Sequence, residues 1–126
     1  MLHHISLGVE DLARSAVFYD AALSPMGYVC VWSDSTALGY GLPGGGDKLA
    51  LKLRPSGVVI PGHGFHVAFS APTREAVAQF HEAAVSHGGR DNGEPGLRPD
   101  YGANYYAAFV IGPDGHNLDV VCHKAP

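Results

Sequence analysis

The chain has 126 residues, of which 46% are hydrophobic and 16% charged, and a formal net charge of −4. That length fits a single domain, and the apolar share excludes a chain too polar to fold. With 8 Lys and Arg against 12 Asp and Glu, no basic patch stands out, and a nucleic-acid backbone is disfavoured as a partner.

The predicted elements follow in chain order. Residues 3–9 alternate, with Ile5, Leu7 and Val9 apolar and His4, Ser6 and Gly8 small or polar, the period of a half-buried strand. Asp11 can cap a helix running to about Leu23, with Leu12, Ala16, Tyr19 and Leu23 at helical spacing. Strands are expected at 28–33, 36–42 and 48–54, the last preceded by the turn Gly44-Gly45-Gly46-Asp47. Residues 65–71 alternate again, and Pro72 and Thr73 open a second helix to about His87, stopped by Gly88 and Gly89. A weak strand is possible near 89–94, and 91–104 (DNGEPGLRPDYGAN) is expected to be a mobile loop. Strands at 104–111 and 116–123 close the chain, joined by the turn Gly112-Pro113-Asp114-Gly115.

This series repeats itself. With an offset of 62, residues 4–27 align without a gap on 66–89, and seven of 24 pairs are identical, His4/His66 and Phe18/Phe80 among them. The plan is βαβββ twice, in modules of about 1–62 and 63–126, within one α+β domain. No apolar run is long enough for a membrane span, and MLHHISLGVEDL lacks the basic start of a signal peptide. Cys30 and Cys122 make no disulfide framework, so a reduced, cytoplasmic setting is expected.

Strand parity then sorts the polar residues. If Ile5, Leu7 and Val9 face one helix, and Val67 and Phe69 the other, His4 and His66 face away from the helices. In the last strand Leu118, Val120 and Cys122 take the apolar side and leave Asp119 and His123 opposite. Cys122 is thus a core residue, and His116 and His123 are expected at the rim or surface. Tyr105, Ala107 and Phe109 share one strand face. Lys48, Lys52 and Arg54 form a solvated face or, alternatively, an anion clamp.

A paired βαβββ chain that opens HHISLGVEDLARSAVFYDAAL and closes FVIGPDGHNLDVV resembles the vicinal oxygen chelate superfamily over essentially its whole length. That superfamily includes glyoxalase I, fosfomycin-resistance proteins, extradiol dioxygenases and bleomycin-resistance proteins. The resemblance implies two modules whose curved mixed sheet wraps a cleft, with a divalent metal (Zn, Ni, Mn or Fe) held by first and last strands. By position, His4, His66 and Asp119 match the metal ligands, and Ser6, Tyr105 and Phe109 are expected to line the substrate cleft. Two imidazoles and a carboxylate form a facial triad with open positions for a substrate's vicinal oxygens. The resemblance also implies a homodimer, since the cleft is often completed across a two-fold axis.

Two departures stand out. Asp119 falls where the family has glutamate, and its carboxylate reaches about 1.5 Å less far toward a metal that needs oxygen at 2.0–2.2 Å. Ala50, aligned with Asp119 through the two glycine-rich turns, cannot bind metal. The missing fourth ligand argues against a true glyoxalase I. The readings are a metal-dependent glyoxalase-like enzyme acting on a small oxygenated substrate, a metal-free ligand-sequestering protein of the bleomycin-resistance type, or a fosfomycin-type thiol transferase.

Overall fold

The computed structural model describes residues 1–126. Its elements are β1 (Ile5–Val9), α1 (Leu12–Leu23), β2 (Val29–Ser33), β3 (Ala37–Gly41), β4 (Leu49–Leu53), β5 (Val67–Ser70), α2 (Arg74–Ser86), β6 (Arg90–Leu97), β7 (Tyr106–Ile111) and β8 (Asn117–Cys122). Short 3₁₀ turns cover Ser24–Met26 and Pro99–Tyr101. No helix is long and apolar enough to cross a membrane.

The helix starts follow from the capping residues. The Asp11 carboxylate accepts from the Arg14 backbone N–H, and Thr73 Oγ1 accepts from that of Ala76. Each satisfies one of the amide donors that a first turn leaves unpaired, an interaction typically worth about 1 kcal/mol.

The strands divide into two mixed four-stranded sheets, ordered β1-β4-β3-β2 and β5-β8-β7-β6. In each, the first strand runs parallel to the last strand of its own half and the other pairs are antiparallel. The sheets share one core of 22 buried residues. Leu7, Val9, Leu49 and Leu51 enter it from the first sheet, Val67, Leu118, Val120 and Cys122 from the second, and Phe18, Tyr19, Val77 and Phe80 from the helices. The helices pack along each other. The helix-facing sides of both sheets are thus spent on this core, and their opposite sides look outward.

The closing turn of the second half is bound to the first half. Asp114 Oδ1 accepts from the Glu10 backbone N–H at 2.9 Å and from Arg14 Nη2 at 2.8 Å. His116 Nε2 donates to the Gly8 carbonyl at 2.7 Å. His116 is therefore buried, not at the rim as expected. Nothing in its own strand's alternation signals this, because its partner is 108 residues away.

The segment 91–104 also departs from expectation. Residues up to Leu97 form the edge strand β6, and a 3₁₀ turn follows. Gly93, Pro95 and Gly96 break the strand alternation, and the pairing with β7 shifts register twice, between Asp91 and Gly93 and between Gly93 and Gly96. Such bulges admit proline at an edge, where its missing N–H costs no ladder bond.

Candidate functional site

Two cross-strand rows lie on the outward faces. On the second sheet the register aligns Ala68 (β5), Asp119 (β8), Phe109 (β7) and Gly93 (β6). On the first it aligns Ser6 (β1), Ala50 (β4), Gly39 (β3) and Trp32 (β2). The rows correspond strand for strand. Both place an aromatic ring over a glycine, Phe109 over Gly93 and Trp32 over Gly39. A cation stands over each ring, Arg98 at 4.8 Å from Phe109 and Lys52 at 5.6 Å from Trp32.

The rows differ where chemistry is concerned. Asp119 occupies the central position of the second, whereas Ala50, 2% exposed, occupies that of the first. His66, just before β5, brings its Nε2 to 3.3 Å from Asp119 Oδ2. The imidazole is half exposed, while the carboxylate side chain is only 14% exposed. Burial pushes the Asp119 carboxyl above its ordinary range, and the neighbouring imidazole pulls against that shift. The pair lies in a shallow pocket with Gly64, Phe65, Asn92, Phe109 and Asn117. Two of those residues escaped the sequence reading. Phe65 precedes His66 where the strand was expected to begin, and Asn92 lay in the presumed loop.

Of the sequence-expected residues, the fold brings together His66, Asp119 and Phe109. His4 stands apart. Its Nδ1 is 2.8 Å from that of His3, and it lines a different cavity beside Ile5 and Lys48. Ser6 is exposed on β1 opposite Ala50, and Tyr105 pairs its ring with Tyr101 at 5.3 Å outside the His66 pocket. No three His, Cys, Asp or Glu side chains of one chain converge closely enough to hold a metal ion. An imidazole and a carboxylate at 3.3 Å form a two-donor fragment of the kind that can contribute to a divalent-ion site.

Comparison with known proteins decides the kinship. The family pattern described as "Glyoxalase/Bleomycin resistance protein/Dioxygenase superfamily" matches residues 1–120. The chain belongs to that superfamily. A glyoxalase/bleomycin resistance protein from Albidiferax ferrireducens is 28% identical, superposes with a TM-score of 0.79, and is covered over 96% of its length by 95% of this chain. A glyoxalase-related enzyme from Fulvimarina pelagi is 24% identical with a TM-score of 0.74, over 96% of this chain and 86% of that one. A glyoxalase I mutant from Zea mays is 23% identical with a TM-score of 0.69, over 95% of this chain and 45% of that one. The last two likenesses establish the superfamily's fold and no more. No curated protein matches the chain.

Proposed function

We propose that the chain works as a homodimer and uses a divalent ion (Zn, Ni, Mn or Fe) to act on a small oxygenated substrate, in a lyase, isomerase or dioxygenase type of reaction. The observation that carries this reading is the His66–Asp119 pair beneath Phe109, on a sheet face that its own chain leaves open. In the proposed dimer the outward face of one copy's second sheet meets that of the other copy's first sheet. His66 and Asp119 from one copy and His4 from its partner would then supply three donors. When bound, the ion supplies Lewis acidity to a substrate oxygen. Asp119 supplies the buried negative charge, Phe109 an apolar wall, and Asn92 and Asn117 uncharged hydrogen-bonding groups at the rim. A reducing, cytoplasmic setting fits the two free cysteines.

Metal analysis of the purified protein beside the His66→Ala variant tests the proposal. Stoichiometric metal in the parent and its loss in the variant are expected. Equal, near-zero content in both would overturn it.

A second reading rests on Ala50 and Trp32. With no ligand at the central position of the first row and an indole over Gly39, that face offers an apolar wall. A metal-free protein that sequesters an aromatic ligand would use the same wall. Quenching of Trp32 fluorescence by ligand in metal-stripped protein separates it from the first reading.

A further inference from the structure

β1 and β5 are terminal strands of separate sheets, and no strand hydrogen bond joins them. On the helix side of this seam lies a cavity of about 180 Å³, away from the His66–Asp119 pocket. The first sheet contributes Ile5, Leu49 and Tyr40, which are neighbours in register. Val67 and Phe69 of β5 form the facing wall, and Leu23 and Tyr28 close it. Tyr40, Leu23 and Leu49 are 1%, 1% and 4% exposed and make a buried floor, whereas Ile5, Tyr28 and Phe69 are only partly covered.

The mouth is polar, and the Asp47 carboxylate lies near its two histidines. His3, His4 and Lys48 stand there, and no carboxylate lines the cavity. Lys48 belongs to none of the chain's three ion pairs. Its backbone is pinned on both sides: its N–H donates to the Tyr40 carbonyl at 2.7 Å, and its carbonyl accepts from Ile5 at 2.9 Å. The neighbouring Asp47 carboxyl is engaged chiefly by the Trp32 indole. Tyr40 spends its hydroxyl on Asp20 at 2.7 Å, so its ring serves the cavity as an apolar surface.

We propose that this crevice binds a small aromatic monocarboxylate, ring inward between Tyr40 and Phe69 and carboxylate on Lys48, at a site separate from the His66–Asp119 pocket. An apolar cavity of about 150 Å³ suffices for one benzene ring, so the volume here takes a single ring and leaves the carboxylate at the mouth. An apolar floor with one oriented charge at the rim has the general form of a small-ligand site. The inference does not depend on metal binding and holds if the chain is metal-free.

The test uses benzoate as probe and benzyl alcohol as its uncharged counterpart, on the full chain carrying His66→Ala, with backbone and methyl NMR signals as readout. Benzoate is expected to shift the signals of Ile5, Leu49, Val67 and Phe69 in a saturable manner. Lys48→Met is expected to weaken benzoate about fivefold, the scale of one partly exposed ion pair, and to leave benzyl alcohol unchanged. The variant changes an exposed side chain, so the fold is retained. Shifts confined to Phe109, Asn117 and Asp119, no saturable shifts at all, or equal affinities for the two probes with and without Lys48 would each overturn the proposal.

Discussion

The Trp32 indole nitrogen occupies the space that a side chain on Gly39 would need, and the Phe109 ring does the same over Gly93. Each ring is seated by a missing Cβ on the neighbouring strand. Gly39→Ala must displace Trp32, and Gly93→Ala must displace Phe109. Both are expected to cost about 1–3 kcal/mol, as overpacking does. Gly39→Ala shifts the emission of the only tryptophan to the red. Gly93→Ala leaves that emission alone and weakens whatever binds beside His66. Denaturant unfolding followed by fluorescence checks both.

Asp119 is expected to be held against the interest of stability. Burial raises its carboxyl, so the folded state favours the protonated form. The stability this group contributes is present at acid pH and is lost as pH rises through the shifted value. Asp119→Asn keeps the shape and removes the charge. In metal-stripped protein its melting temperature should equal or exceed the parent's at neutral pH, and the difference should close as the solution is acidified. A variant clearly less stable at neutral pH would show that the ion pair with His66 outweighs desolvation.

Sharing of the site between copies has its own signature. His4→Ala and His66→Ala homodimers are each expected to lack metal. Unfolded together and refolded as a mixture, they form heterodimers in which one of the two clefts regains a full donor set. Metal content should then recover to about one quarter of the parent's sites, given random pairing of two subunit types. A site built within one chain would stay empty after mixing.

The anchor between the halves is expected to be worth more than a surface ion pair. Asp114 is 1% exposed at its side chain, whereas Arg14 is 44% exposed. Arg14→Ala leaves a buried carboxylate with only the Glu10 amide as donor, at a cost of about 1–3 kcal/mol after allowance for solvent at the arginine. Asp114→Asn keeps an acceptor for that amide and should cost less. Chemical denaturation of the two variants ranks them.

Much of this was legible in the sequence because the signals were local. Asp11 and Thr73 mark helix starts by bonding three residues ahead, and the alternation at Leu118, Val120 and Cys122 gives the buried face of β8 directly. The repeat at offset 62 gave the module plan, and parity placed Asp119 and His66 on one face. The rest depends on how distant pieces meet. β6 has no alternation to read, because its bulges let glycine and proline into an edge strand. His116 looks like any turn histidine until β1 is packed beside it. The separation of His4 from His66 is a property of how two sheets share a core, and two aligned histidines look the same whether their faces meet in one chain or across two.

The Asp114 and His116 bonds have a consequence for the order in which the molecule is made. They join β1 and α1 to a turn 100 or more residues later, so the first half emerges from synthesis without the partner that fixes it. Contacts of such sequence separation consolidate late in folding. Arg14→Ala should therefore speed unfolding and leave the folding rate nearly unchanged, a stopped-flow pattern that marks the anchor as the clasp fastened last.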